Sequence, residues 1–226
     1  IKIIYKIVNF RIFMHKSVNN LILIKKEIQL KKTIAEIIAV SKTFPINDIL
    51  PLINYGHKHF GENKVQEAIE KWTTIKYQFK EIKLHLIGKL QKNKVKHILP
   101  LFDYIHSLDS IKLAEKISQE QEKKNFYPKI FIQVNIGSEV QKNGIDINNL
   151  NEFVKECVNL NLNIIGLMCI PPANKDPKIY FAKMIDLLNE TQLKKLSMGM
   201  SGDYLDALNY SSSFIRVGSK IFGKRF

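Results

Sequence analysis

Apolar residues fall into two recurring patterns along this chain. Short β-rich runs occur at residues 36–42 (EIIAVSK), 58–63 (KHFGEN), 83–88 (KLHLIG), 103–108 (DYIHSL), 129–136 (KIFIQVNI), 163–170 (NIIGLMCI), 196–200 (LSMGM) and 213–218 (SFIRVG). Between them lie segments such as NKVQEAIEKW, IKLAEKISQEQEKK, NNLNEFVKECVNL and KIYFAKMIDLLNE, whose apolar positions recur three and four apart, as on one face of a helix. Strands separated by helix-length connections run parallel, and eight such units predict a closed (β/α)8 TIM barrel. An open doubly wound sheet usually has fewer strands and a Gly-rich first turn. Here SKTFP follows the first strand without a glycine, and neither G-x-G-x-x-G nor G-x-x-x-x-G-K-[ST] occurs. A lead-in helix is predicted over residues 17–32. The chain thus divides into an N-terminal extension with that helix, residues 1–32, and a barrel domain, residues 33–226.

Composition narrows the function classes. The 226 residues, 45% of them hydrophobic, suffice for one substantial core. A formal net charge of +14 usually points to nucleic acid or an anionic membrane. The lysines, however, are spread along the whole chain, which reads as a solvated basic surface with no specific nucleic-acid partner. The densest patch, QKNKVKH (residues 91–97), reads more readily as the exposed start of the third helix. Cys157 and Cys169 stand in no C-x-x-C or other metal spacing and are expected to be core thiols in a reducing compartment. The histidines likewise form no ligand motif: His57 and His59 enter one strand, and His85 and His106 lie in two others. Asp109 and Asp203 read as helix-start residues and Trp72 as helix packing. The stretch IKIIYKIVNFRIF is interrupted by Lys2, Lys6 and Arg11 and lacks the unbroken apolar region of a secretory signal. Met14 could serve as an initiator, so residues 1–13 are set aside. A cytoplasmic, membrane-free protein is expected.

In barrels of this kind chemistry gathers at the C-terminal ends of the strands. Those ends carry Lys42, Glu62 with Asn63, Gly88 leading to Gln91 and Asn93, Asn135, the stretch MSGD and the stretch RVGS. Ser201 and Gly202 begin the helical segment DYLDALNY, where unpaired N–H groups favour an anion; Gly218 and Ser219 repeat the arrangement one strand later. Each is equally readable as an ordinary turn with a serine cap. Arg216, inside SFIRVGSKIF, is costly to bury without a partner. It either salt-bridges an acidic residue on a neighbouring strand or donates to a ligand's ring nitrogen. Lys42 can snorkel into solvent. Alternatively, desolvation and nearby cations such as Arg216 favour its neutral amine, which can then attack a carbonyl and form a Schiff base. A carbonyl-reactive lysine facing a phosphate site suggests pyridoxal 5′-phosphate.

Taken together, AVSKTFP, HFGENKVQEA, LHLIGKLQKNK, HSLDSIKLAEKI, QVNIG, KNGI, GLMCIP, LSMGMSGD and IRVGSKIFGKR occur in the order and at about the spacing of the pyridoxal phosphate homeostasis protein family. The resemblance covers roughly residues 33–225. That family resembles the barrel domain of alanine racemase standing alone. The resemblance implies that Lys42 joins the cofactor as an internal aldimine, that Ser201, Gly202, Gly218 and Ser219 bind its phosphate, and that Arg216 faces the pyridine nitrogen. Asn63 and Met168 correspond to further positions lining the pocket. Departures are a short lead-in helix, a trimmed connection before the seventh strand, and Cys169 where a smaller Ala or Thr is usual.

An arginine at the ring nitrogen leaves that nitrogen unprotonated and weakens the cofactor as an electron sink. A racemase also needs a second base, which alanine racemase takes from a second domain of its partner subunit. The family is accordingly understood as non-catalytic, holding the cofactor and handing it on, with pyridoxal phosphate-dependent apoenzymes as possible acceptors and the chain itself expected to be monomeric. The alternative is a weak amino-acid racemase working from the barrel alone, with Lys42 as one base and a Tyr or water as the other.

Overall fold

A computed structural model describes residues 14–139, 141 and 143–224; the stretch 1–13 set aside above lies outside the described residues. The eight strands are β1 (Glu36–Val40), β2 (His59–Glu62), β3 (Lys83–Leu86), β4 (Tyr104–Leu108), β5 (Lys129–Gln133), β6 (Ile164–Met168), β7 (Lys195–Met200) and β8 (Phe214–Val217). They pair in parallel and in sequence order, and β8 returns to β1 through the register Ile38 to Arg216, closing the barrel. Helices α1 (Lys16–Leu30), α2 (Ile46–Asn54), α3 (Val65–Gln78), α4 (Val95–Ile98), α5 (Ile111–Lys124), α6 (Leu150–Asn159), α7 (Pro177–Glu190), α8 (Tyr204–Asn209) and α9 (Ser219–Phe222) lead into and connect these strands and close the chain. The (β/α)8 barrel expected from the number of β-rich runs is the one that forms.

Strand periodicity separates two cores. On β1, Ile37 and Ala39 face the surrounding helices, whereas Ile38 faces the barrel axis. The same alternation gives Leu84 and Leu86, Leu196 and Met198, and Ile215 and Val217 to the outer core. Ile38, Tyr104, Phe131, Met168 and Phe214 form a separate buried cluster inside the barrel. On α1, Val18, Leu21, Ile24 and Ile28 follow helical spacing and bury one stripe in the outer core. Each such side chain stabilises the fold by about 1.5–3 kcal/mol.

Two differences from the sequence reading matter for the site. The β-rich runs overshoot the strands at their C-terminal ends, because Ser41 and Lys42, Asn63, Ile87 and Gly88, and Cys169 and Ile170 leave the strands and turn over the mouth. The third connection holds only a 3-10 turn, Lys92–Lys94, and the single α-turn α4. Its C-cap, Leu99, is extended, as a residue preceding proline prefers to be. Among the described residues no helix is long and apolar enough to cross a membrane.

Candidate functional site

At the C-terminal mouth of the barrel lies a cavity of about 730 Å³. Lys42 from beyond β1, Asn63 from beyond β2, Ser201 and Gly202 from beyond β7, and Arg216, Gly218 and Ser219 from β8 and its exit all line it. Seven strand-end residues singled out from the sequence thus share one cavity. The eighth, Met168, does not reach it. That side chain is buried in the barrel interior with Phe131 and Phe214, and Ile170, the next inward position of the same run, lines the cavity instead. Val40, Ile87, Met200 and Lys224 complete the lining with Gly88. The spacing of two residues along an inward face could have pointed to Val40, Ile87 and Ile170; Lys224 lies in the quoted stretch IRVGSKIFGKR with no role assigned to it.

Lys42 is half-buried, and the residues on either side of it are gripped from outside the barrel. The Nζ of Lys71 on α3 donates to the Ser41 carbonyl (3.0 Å) and to the carboxylates of Glu62 (3.0 Å) and Glu67 (2.9 Å). Glu62 also accepts from the Ser41 hydroxyl (2.7 Å) and from the Trp72 indole (2.9 Å). Glu67 accepts from the Thr43 amide at 2.6 Å. Burial pushes the Glu62 carboxyl up despite Lys71 and these hydrogen bonds. Burial alone would raise Glu67 as well, but the bonds from Lys71 and the Thr43 amide outweigh it and hold that carboxyl below its ordinary range. The strand end that carries the amine is therefore fixed by an ionic clamp. Glu62, expected at the mouth, belongs to this clamp, because it has the opposite strand parity to Asn63 and faces α3.

The β7 and β8 side of the cavity presents backbone donors and serine hydroxyls. Among the described residues the backbone N–H groups of Ser201, Gly202 and Ser219 make no hydrogen bond, and the Ser201 hydroxyl oxygen accepts from the Gly218 amide at 3.2 Å. Gly199 approaches α8 closely at φ +91°, where a Cβ would lie 2.6 Å from the Ala207 side chain. Nearby, the buried Oδ1 of Asn63 has no partner among the described residues.

Arg216 is buried and forms no salt bridge among the described residues. Its Nη1 donates to the carbonyl (2.6 Å) and hydroxyl (2.8 Å) of Ser197, and Nη2 donates to the Cys169 carbonyl (2.8 Å). Burial disfavours its charge, while Cys169 and Asp203 act the other way. The ion-pair alternative is therefore not the one adopted. The remaining polar candidates lie apart: the side chain of Asn135 closes its own loop through Glu139, and Gln91 and Asn93 are exposed on the third connection. Cys157 and Cys169 are both buried, which pushes each thiol up to about 12. No group of histidine, cysteine and carboxylate residues among the described residues could hold a metal ion.

Comparison with known proteins bears on the family and the fold. The family model for the N-terminal domain of alanine racemase matches residues 18–225. The pyridoxal phosphate homeostasis protein of Aquifex aeolicus is 37% identical over 201 residues, covering 84% of this chain and 87% of that protein. That of Buchnera aphidicola is 38% identical, covering 90% and 95%. The structure of PipY from Synechococcus elongatus without PLP superposes with a TM-score of 0.86 at 33% identity, and the form with PLP bound with 0.82 at 32%; each covers 92% of this chain and 100% of PipY. Alanine racemase of Clostridium difficile shares the fold alone, at 16% identity and a TM-score of 0.69 over 92% of this chain and 56% of the racemase. On these matches the chain belongs to the pyridoxal phosphate homeostasis protein family, built on the alanine racemase N-terminal-domain fold.

Proposed function

We propose that the protein binds pyridoxal 5′-phosphate at the barrel mouth and serves its homeostasis, holding the cofactor on Lys42 and releasing it to apoenzymes that require it. The observation that carries this reading is the shared cavity, which holds both a primary amine on a clamped strand end and, among the described residues, backbone amides of Ser201, Gly202 and Ser219 that make no hydrogen bond, with the serine hydroxyls beside them. The Asn63 oxygen, without a partner among the described residues, and the Arg216 guanidinium, without an ion pair among them, fit the same ligand. When bound, pyridoxal phosphate supplies an aldehyde that an amine can capture reversibly. Lys42 supplies that amine. The amides of Ser201, Gly202 and Ser219 satisfy the phosphate oxygens, and Arg216 donates to the ring nitrogen without giving up its proton.

A carrier fits the lining better than a racemase does. Among the described residues the lining holds no tyrosine, histidine or carboxylate, leaving Lys224 as the only ionisable side chain beside Lys42 and Arg216. A monomeric chain is sufficient for this role, since one barrel provides every residue invoked. The test is to add pyridoxal phosphate, reduce with borohydride and map the labelled peptide by mass spectrometry. Label on Lys42, lost in Lys42→Ala, is the expected result; label spread over surface lysines alike in both proteins would sink the reading. Deuterium uptake at the α-carbon of alanine should not exceed that caused by free cofactor.

A further inference from the structure

Three histidines that the site does not use form a continuous file through the barrel interior. His59 Nδ1 lies 2.9 Å from His85 Nε2, His85 Nδ1 lies 2.9 Å from His106 Nε2, and His106 Nδ1 lies 2.9 Å from the Ser197 hydroxyl. Ser197 is the residue to which Arg216 donates. At the other end, His59 Nε2 lies 4.0 Å from the Glu36 carboxylate, at the N-terminal mouth. Tyr104 stacks on His85 at 4.2 Å and Phe131 on His106 at 4.4 Å, so both rings are walled from water and held in one orientation.

The two ends fix the polarity of the file. A guanidinium only donates and a carboxylate only accepts. Ser197 accepts from Arg216 and therefore directs its own proton to His106 Nδ1. His106 then carries its proton on Nε2 and donates to His85 Nδ1; His85 does the same to His59, whose Nε2–H faces Glu36. In the reverse order the Ser197 proton would have no acceptor and an imidazole lone pair would face the carboxylate. We propose that His59, His85, His106 and Ser197 form a one-way hydrogen-bond relay that positions Arg216, presenting lone pairs to the buried cation so that it keeps its charge and one fixed orientation at the cavity wall. His85 and His106 are then positioning residues for the ring-nitrogen contact, an assignment that rests on the function proposed above.

The relay requires neutral rings. Burial drives His85 and His106 well below the ordinary imidazole range, with neighbouring imidazoles and, for His106, Arg216 acting in the same direction. His59 is lowered by burial and by Lys83 and Lys129, against Glu36 and Asp103. Protonating any ring turns a donor toward a donor, and the mismatch propagates to Ser197.

Nitrogen-15 NMR of the imidazoles in the cofactor-free protein reads the polarity directly. Protonated Nε2 and bare Nδ1 at His59, His85 and His106 are expected; a protonated Nδ1 at His85 or His106 overturns the relay. The second measurement is the pyridoxal phosphate affinity of His106→Gln and His106→Leu. Glutamine can accept from Ser197 and donate to His85, so its affinity should stay within about twofold of the parent. Leucine leaves Ser197 undirected and should weaken binding about tenfold, in line with the loss of a hydrogen bond supporting a charged group, and should alter the pH profile of the bound cofactor's absorbance. Equal affinities and spectra for Leu and the parent remove the relay while leaving the Lys42 reading standing. Failure of the parent chain to capture the cofactor removes both.

Discussion

The two cationic residues at the cavity are held by opposite means. Lys42 sits between residues fixed by charge, with Lys71 bridging Glu62 and Glu67 outside the barrel. Among the described residues Arg216 is fixed without a counter-charge, by neutral acceptors inside the barrel. The difference matches the tasks that the proposed function assigns to each group. On the function proposed above Lys42 is the reacting amine, and the ionic clamp grips Ser41 and Thr43 to either side of it. A guanidinium only donates, and a carboxylate beside it would compete for the N–H groups offered to a ligand.

Acid should break this comparison first and by the largest amount. His57, pushed down to about 3 by burial, donates to the His59 carbonyl, and His59, His85 and His106 are lowered as well. Below the ordinary imidazole value of about 6.5 the unfolded chain binds protons that the folded chain refuses, so unfolding becomes easier as pH falls. The stability these neutral rings contribute is whole above that pH and is lost as pH drops toward their folded values. Each ring contributes a slope of up to about 1.4 kcal/mol per pH unit. Glu67 is held below the ordinary carboxylate range and keeps its ion pair to Lys71 through the first part of the acid limb, whereas Glu62, raised by burial, takes up its proton earlier. Urea unfolding between pH 7 and 5 should show a steep decline, and His57→Gln should flatten it. An unchanged slope in that variant would refute the assignment of His57 as a buried neutral ring.

The next break falls on the other side. Glu62→Leu strips Lys71, Trp72 and Ser41 of a shared buried acceptor. Removing one partner of a buried pair should cost about 3 kcal/mol in urea unfolding. Glu62→Gln, which keeps an acceptor at a position where burial already favours the protonated acid, should cost clearly less. Equal losses would mean that the charge itself, and not the hydrogen bonds, holds the strand end.

How far these two arrangements were legible in the sequence differs for a physical reason. Lys42, Asn63, Ser201 and Arg216 stand at strand ends, and a barrel brings all strand ends of one polarity to one mouth, so order along the chain was enough. Glu62 was misplaced because parity, not proximity to the end, decides direction: it alternates with Asn63 and faces α3. Met168 has the inward parity but lies two residues too deep, one layer below the cavity floor where Ile170 stands. The histidine file was not legible at all. Its members lie on three strands, and only the register, with Gly61 opposite His85 and His85 opposite Tyr104, brings His59, His85 and His106 within reach as a rising diagonal.

A smaller effect tests the wall proposed to face the phosphate. Gly199→Ala must adopt φ near +91° and place a methyl group 2.6 Å from Ala207 and 2.9 Å from the Tyr204 backbone. A loss of about 1–3 kcal/mol is expected, the usual range for overpacking and an incompatible φ. Because α8 follows Ser201 and Gly202 directly, affinity for inorganic phosphate should fall as well. Lost stability with unchanged phosphate affinity would separate Gly199 from that wall.

The smallest expected effect has the opposite sign. Thr43, directly after Lys42, holds φ at 69°, an unfavourable region for a β-branched side chain, and its amide is anchored to Glu67. Glycine removes that strain and keeps the N–H, but it enlarges the freedom of the unfolded chain. The two terms differ by little, so Thr43→Gly should stabilise the fold by about 0.5–1 kcal/mol. If the strained turn serves to aim Lys42, the same variant should capture pyridoxal phosphate more slowly even though it unfolds at higher urea. A variant that is both more stable and equally fast would show that the clamp through Ser41, Lys71 and Glu62 aims the amine without help from Thr43.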